Sequence, residues 1–124
     1  MAAEVLYVIL EGPGARLPVQ EGNNYIFYAP VDFTLHPRGV ALLHLRLSII
    51  VPRCYIGRFF SLTDTNTSGL YASSQIIFAA HQQPLSVMLF NHTDRFYEGR
   101  VGDPVACLVL ERVIYPSVRQ ASMM

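Results

Sequence analysis

From Val105 to Tyr115 the chain reads VACLVLERVIY, and this run limits the possible folds more than any other. Its apolar residues fall on both alternating faces: Ala106, Leu108, Leu110 and Ile114 on one, Val105, Cys107, Val109 and Val113 on the other. A strand apolar on both faces is buried on both, between two sheets or between two subunits. Glu111 and Arg112 interrupt it with two charges that need partners. Pro116 stops it, because proline cannot donate to a ladder. Upstream, Leu85 to Asn91 is a short apolar run rich in branched residues and reads as a buried strand. Between the two, His92 to Pro104 is polar, carries Gly99 and Gly102, and closes on the turn signal Asp103-Pro104.

The rest of the chain extends the same pattern. Val5 to Leu10 reads as a buried strand ended by Gly12-Pro13-Gly14, and Gln20 to Asn24 as a turn. Tyr25–Tyr28 and Asp32–Leu35 are short strands closed by prolines. Val40 to Val51 alternates most clearly, with Leu43, Leu45, Leu47, Ile49 and Val51 on one face and Leu42, His44, Arg46, Ser48 and Ile50 on the other. Ile56–Leu62 and Gln75–Ala80 complete the strands, separated by a polar loop over Thr63–Gly69. No apolar pattern of helical period persists over three turns. Eight prolines and eight glycines punctuate close-spaced strands, so the expected class is all-β, a barrel or sandwich in one domain.

Composition excludes several functions. Nine basic residues, all arginine and scattered, balance nine acids, which leaves no footprint for nucleic acid. No basic leader precedes an apolar segment, and no run reaches membrane-spanning length, so a cytosolic protein is expected. Cys54 and Cys107 are expected to be reduced and buried. The sequons at Asn66 and Asn91 should then stay unmodified. His36, His44, His81 and His92 lack ligand spacing, so no metal and no cofactor is expected.

Leu89-Phe90-Asn91, followed at the right spacing by Gly102-Asp103-x-Val-Ala-x-Leu-x-x-Glu111-Arg112, resembles the trimeric deoxyuridine triphosphatase (dUTPase) family. Val51-Pro52 with Gly57-Arg58 resembles that family's VP-x-x-x-x-GR turn, and the likeness covers roughly Val19 to Pro116. It implies a dUTPase-like jelly-roll or β-barrel and a homotrimer. The resemblance fails where the family's chemistry is carried. Phe60-Ser61-Leu62-Thr63-Asp64 stands where the family has a PRSGL-like loop. Gly69 to Gln75 matches the hairpin bearing the water-activating aspartate and holds no carboxylate. No glycine-rich arm follows Pro116. The implied protein is therefore not an enzyme and has no catalytic residues. The alternative is a residual dUTP hydrolase or nucleotide binder.

The chain closes on Ala121-Ser122-Met123-Met124, the Ser-x-hydrophobic ending that PDZ domains take by strand addition and carboxylate capture. With Leu6-Tyr7, Val19–Gly22, Gly57–Phe59, Leu62–Asp64, Leu85–Val87, Leu89–His92 and Pro116–Val118, it resembles a family of adenovirus early region four proteins end to end. That resemblance implies a signalling adaptor. Its partners would be host PDZ scaffolds of the discs-large type and phosphatidylinositol 3-kinase, and it would be recruited from host cytoplasm to plasma membrane and cell junctions. Two units follow, a β domain over 1–116 and a flexible tail over 117–124. The loop Thr63-Asp64-Thr65-Asn66, relieved of phosphate binding, is a possible second partner surface.

Overall fold

The computed structural model describes residues 4–60, 70–72, 75–79 and 81–123. Their strands are β1 (Tyr7–Leu10), β2 (Val19–Glu21), β3 (Asn24–Tyr28), β4 (Phe33–Leu35), β5 (Val40–Ile50), β6 (Tyr55–Phe60), β7 (Leu70–Ala72), β8 (Gln75–Phe78), β9 (Gln83–Asn91), β10 (Tyr97–Gly99) and β11 (Pro104–Arg112). They form a four-stranded sheet, β1-β5-β9-β7, a five-stranded sheet, β2-β3-β11-β6-β8, and the small pair β10-β4. Strand pairing is antiparallel throughout. This is the all-β architecture that the proline and glycine spacing predicts.

The core is where the inner faces of the two large sheets meet. Leu43, Leu45, Leu47 and Ile49 of β5 and Leu85, Val87 and Leu89 of β9 form one wall. Phe27, Phe59, Ile77, Ala106 and Leu108 form the other. Phe27 and Phe59 meet edge to face at 5.5 Å, a geometry favoured by the ring quadrupoles. Gly57 lies opposite Leu110 on β11, and a Cβ there would stand 2.8 Å from Leu108 Cδ1. The glycine of the GR motif is therefore required by the packing of β6 on β11.

The alternation of β5 survives an irregularity that sequence does not reveal. Between the pairs His44↔Ser86 and Ser48↔Pro84, β5 spends four steps against two on β9. Two extra residues preserve a period of two, so Leu47 and Ile49 still face the core. Arg46 takes φ 59° in this bulge. Its carbonyl accepts the Glu11 N–H at 2.8 Å, and its Nη1 donates to the Pro13 carbonyl at 2.8 Å. Ser48 is the one residue of the outer row that is fully buried, and its hydroxyl donates to Glu11 Oε1 at 2.6 Å.

Several expectations need correction. β1 is an edge strand, largely exposed, because only β5 pairs with it; Leu6 and Val8 alone reach the core. β11 ends at Arg112, not Tyr115, because its partner β6 begins at Tyr55, opposite Arg112. Beyond that pair the facing chain turns away at Cys54, φ 67°. That turn also exposes Cys54, while Cys107 is buried as expected; both thiols are free. The segment read as a polar turn at Gln20–Asn24 takes in the end of β2, and the one at His92–Pro104 contains β10; both strands have three residues, too few for any periodicity to register.

Candidate functional site

The surviving motif residues hold the architecture together. Asn91, 3% exposed, donates from Nδ2 to the carbonyls of His36 at 3.1 Å and Arg95 at 2.7 Å. Its Oδ1 accepts the Thr93 N–H at 3.1 Å and the Thr93 hydroxyl at 2.7 Å. One amide thus ties the end of β9 to the loop after β4 and to its own following turn. Its nitrogen, the group a glycan would occupy, is committed inside the fold. Gly102 (φ 90°) and Asp103 build the turn into β11. The Gly102 N–H donates to the Ala29 carbonyl and the Ala29 N–H to the Asp103 carbonyl, each at 2.8 Å. The Asp103 carboxylate accepts the Arg100 N–H at 2.9 Å. Glu111 finds its partner in Arg58, 2.9 Å away on β6.

The outer face of the five-stranded sheet is the first candidate surface. Strand register puts Val19, Ile26, Cys107 and Phe60 in one row across it, and Asn24, Val109, Arg58 and Ile76 in the next. Ile56 lies opposite both Glu111 and Phe78 in a third row. The Arg58–Glu111 pair is the polar centre of a face that is otherwise mainly apolar. Val19, Phe60, Ile76 and Phe78 are exposed there, Phe78 to 61%. Contiguous apolar surface of this kind marks an association face. Sequence reasoning singled out only β11 for it. The doublets Phe59-Phe60 and Ile76-Ile77 carry the same signal, since adjacent apolar residues on a strand point to opposite faces. Burial pushes the Cys107 thiol pKa up, against a weaker opposing effect of the Phe60 backbone.

The second candidate is the chain after β11. The Val113 N–H donates to the Cys54 carbonyl at 2.8 Å, the last backbone bond to the domain among the described residues. From Ile114 to Met123 every residue is exposed and none lies in a strand or helix. Ile114 is 82% exposed, Tyr115 72%, Val118 98% and Met123 99%. Ala121, Ser122 and Met123 belong to this exposed segment; Met124 lies outside the described residues. So do Thr63, Asp64, Thr65 and Asn66, and, within Gly69–Gln75, Gly69, Ser73 and Ser74.

Elsewhere among the described residues the titratable groups offer no further site. Among the described residues no three of His, Cys, Asp and Glu gather where they could hold a metal ion. Arg38 holds the Asp94 carboxyl below its ordinary range across a 2.9 Å pair in which both side chains are exposed. His44 Nδ1 lies 2.8 Å from Ser86 Oγ on the outer face of the other sheet, and among the described residues no acid joins them.

A dUTPase family profile matches residues 21–124. The chain is 50% identical to E4-ORF1 of Human adenovirus D serotype 9, over 98% of each chain. It is 46% identical to the Early 4 ORF1 protein of Human adenovirus C serotype 2, over 98% of this chain and 96% of that one. Among solved structures, a mutant dUTPase of Staphylococcus bacteriophage 80alpha with dUpNHpp superposes at TM-score 0.83. The match covers 98% of this chain and 99% of that one at 18% identity, a likeness of fold.

Proposed function

We propose, for a viral chain that belongs to the dUTPase family on the branch it shares with adenovirus E4-ORF1 proteins, the work of a non-enzymatic signalling adaptor. The observation that carries this reading is the exposed segment after β11, which ends on Ser122-Met123-Met124. In strand addition such a segment pairs with the edge of a PDZ sheet. The Met124 carboxylate is captured by backbone N–H groups, and its side chain fills an apolar pocket. The Ser122 hydroxyl supplies the specifying hydrogen bond. Methionine at the last position is apolar and flexible and fits such a pocket. The partners are host PDZ scaffolds and, through a surface of the β domain, phosphatidylinositol 3-kinase. Recruitment to plasma membrane and junctions follows from those partners.

The outer face of the five-stranded sheet supports the second part of the reading, a homotrimer. Second and third copies that cover Val109, Ile76 and Phe78 remove an apolar face from water. The absence of a carboxylate in the sequence Gly69–Gln75 supports a domain without hydrolytic activity. The reading is tested by pull-down from cell lysate with the intact chain, with a chain lacking Ala121–Met124, and with one extended by a single glycine. Scaffolds should be captured by the first alone. Equal capture by the extended chain would overturn it.

A further inference from the structure

We propose that Ser122 is the phosphoacceptor of an arginine-directed serine/threonine kinase, and that phosphate there switches the tail off. The switch rests on the tail-docking reading; the modification site does not.

A protein kinase threads its substrate through a groove as an extended, unpaired segment, so a serine inside a sheet is closed to it. Kinases of the arginine-directed class read a guanidinium three residues before the acceptor through carboxylates of the groove. Many also take an apolar side chain one residue after it. In this sequence Arg-x-x-Ser occurs twice, as Arg58–Ser61 and as Arg119–Ser122. The first begins inside β6, which is paired on one side to β11 and on the other to β8. Arg58 itself is held at 2.9 Å by Glu111. The second lies wholly in the exposed segment. Arg119, Gln120, Ala121 and Ser122 are exposed and outside any ladder, and Met123 follows Ser122 at 99% exposure. From Val113 to Met124 Arg119 is the one charged side chain, so no acidic side chain of the segment competes with an acidic groove for its guanidinium.

The transfer balances with ATP and magnesium as co-reactants. Ser122 Oγ attacks the γ-phosphorus in line, and the bond to the β,γ-bridging oxygen breaks. ADP leaves with that electron pair, and the hydroxyl proton passes to the kinase's aspartate. The product is a monoester of about −1.5 to −2 charge at neutral pH. It stands two residues from the terminal carboxylate, in the position whose hydroxyl would make the specifying bond. Like-charge repulsion and bulk then oppose docking, and the expected loss of PDZ affinity is about a hundredfold.

The full chain is incubated with magnesium-ATP and the catalytic subunit of cyclic-AMP-dependent kinase, and phosphate is placed by tandem mass spectrometry. One phosphoryl group per chain is expected, on Ser122. Arg119→Ala should lower kcat/KM by about tenfold or more, Arg119→Lys should restore only part of that because an ammonium cannot make the forked contact, and Ser117→Ala should change nothing. Phosphate on Ser61 or Ser117 instead, no phosphate, or an Arg119→Ala rate equal to the parent's overturns the site. Phosphorylated and mock-treated protein are then passed over an immobilised discs-large-type PDZ domain. Equal binding of the two overturns the switch with the site intact. If neither form binds although Ser122 carries phosphate, the docking reading and the switch fall together and the modification site stands.

Discussion

Replacing Asn91 by alanine removes the amide that fastens the end of β9. The His36 and Arg95 carbonyls lose a donor, and the Thr93 N–H loses its acceptor. Arg95 keeps the Thr93 hydroxyl at 3.2 Å and His36 keeps the Gly39 N–H at 2.9 Å, so of the three groups the Thr93 N–H alone is left without a partner. A polar group left unpaired inside the fold costs about 1–3 kcal/mol. In a domain of this size the corresponding fall in Tm is on the order of 10 °C. Asn91→Asp keeps the shape and adds a pH signature. Its carboxylate would be buried against the His36 and Arg95 carbonyls, so its folded pKa would rise above the unfolded value of about 3.9. A group raised in the folded state contributes stability fully below its unfolded pKa and loses it as pH rises through the folded one. The aspartate variant should therefore lie close to the parent near pH 4 and far below it at pH 7. Thermal and urea unfolding at one fixed protein concentration measure both. An alanine variant within about 1 kcal/mol of the parent, or an aspartate variant whose deficit ignores pH, would refute the clamp.

Four further outcomes are expected. Gly57→Ala drives a Cβ to 2.8 Å from Leu108 Cδ1 and should cost about 1–3 kcal/mol; adding Leu108→Val, which deletes that methyl, should recover part, and strict additivity of the two would contradict the contact. A thiol reagent should label exposed Cys54 quickly and Cys107, whose thiol is buried and raised, only after denaturation; two fast thiols would count against the packing of β11. Light scattering at micromolar concentration should give a trimer, and Val109→Asp, which sets a charge in the outer face, should give a folded monomer; a strictly monomeric parent sinks the assembly. Pyrophosphate release from dUTP with magnesium should stay at background, and release abolished by Asp64→Asn would restore the enzyme reading.

The long strands were legible because burial on one face imposes a period that short segments cannot carry. Val40–Val51 announces its inner row residue by residue, and the bulge at Arg46 leaves that row intact because it adds an even number of residues. β2 and β10 have three residues each, less than two periods, so pairing rather than pattern creates them. The burial of Cys54 was misread for a related reason. Cysteine is among the most often buried residue types, but Cys54 occupies the φ 67° corner of a turn and is exposed there. Of the candidate site, the C-terminal segment is legible as a motif. The outer sheet face is legible only in pieces, as apolar doublets on strands whose lateral order the sequence does not state.

The two candidate surfaces are joined through β11. Its inner residues Ala106 and Leu108 sit in the core, and its outer residues Cys107 and Val109 lie in the middle of the association face. The exposed segment begins where the strand's last partner runs out, at Val113. In a closed ring of identical subunits, equivalent atoms lie in one plane perpendicular to the axis. If that face closes the proposed trimer, the three segments therefore start at one level, each just past the end of a strand in the interface. At about 3.3 Å per extended residue, the stretch from Ile114 to Met124 reaches roughly 35 Å. Three such ligands from one plane can engage several PDZ domains of a scaffold together, and each binding event after the first is intramolecular. Strand β11 would then set both the number of tails and their common origin, and the same residues that make it too apolar for a surface would make the adaptor multivalent.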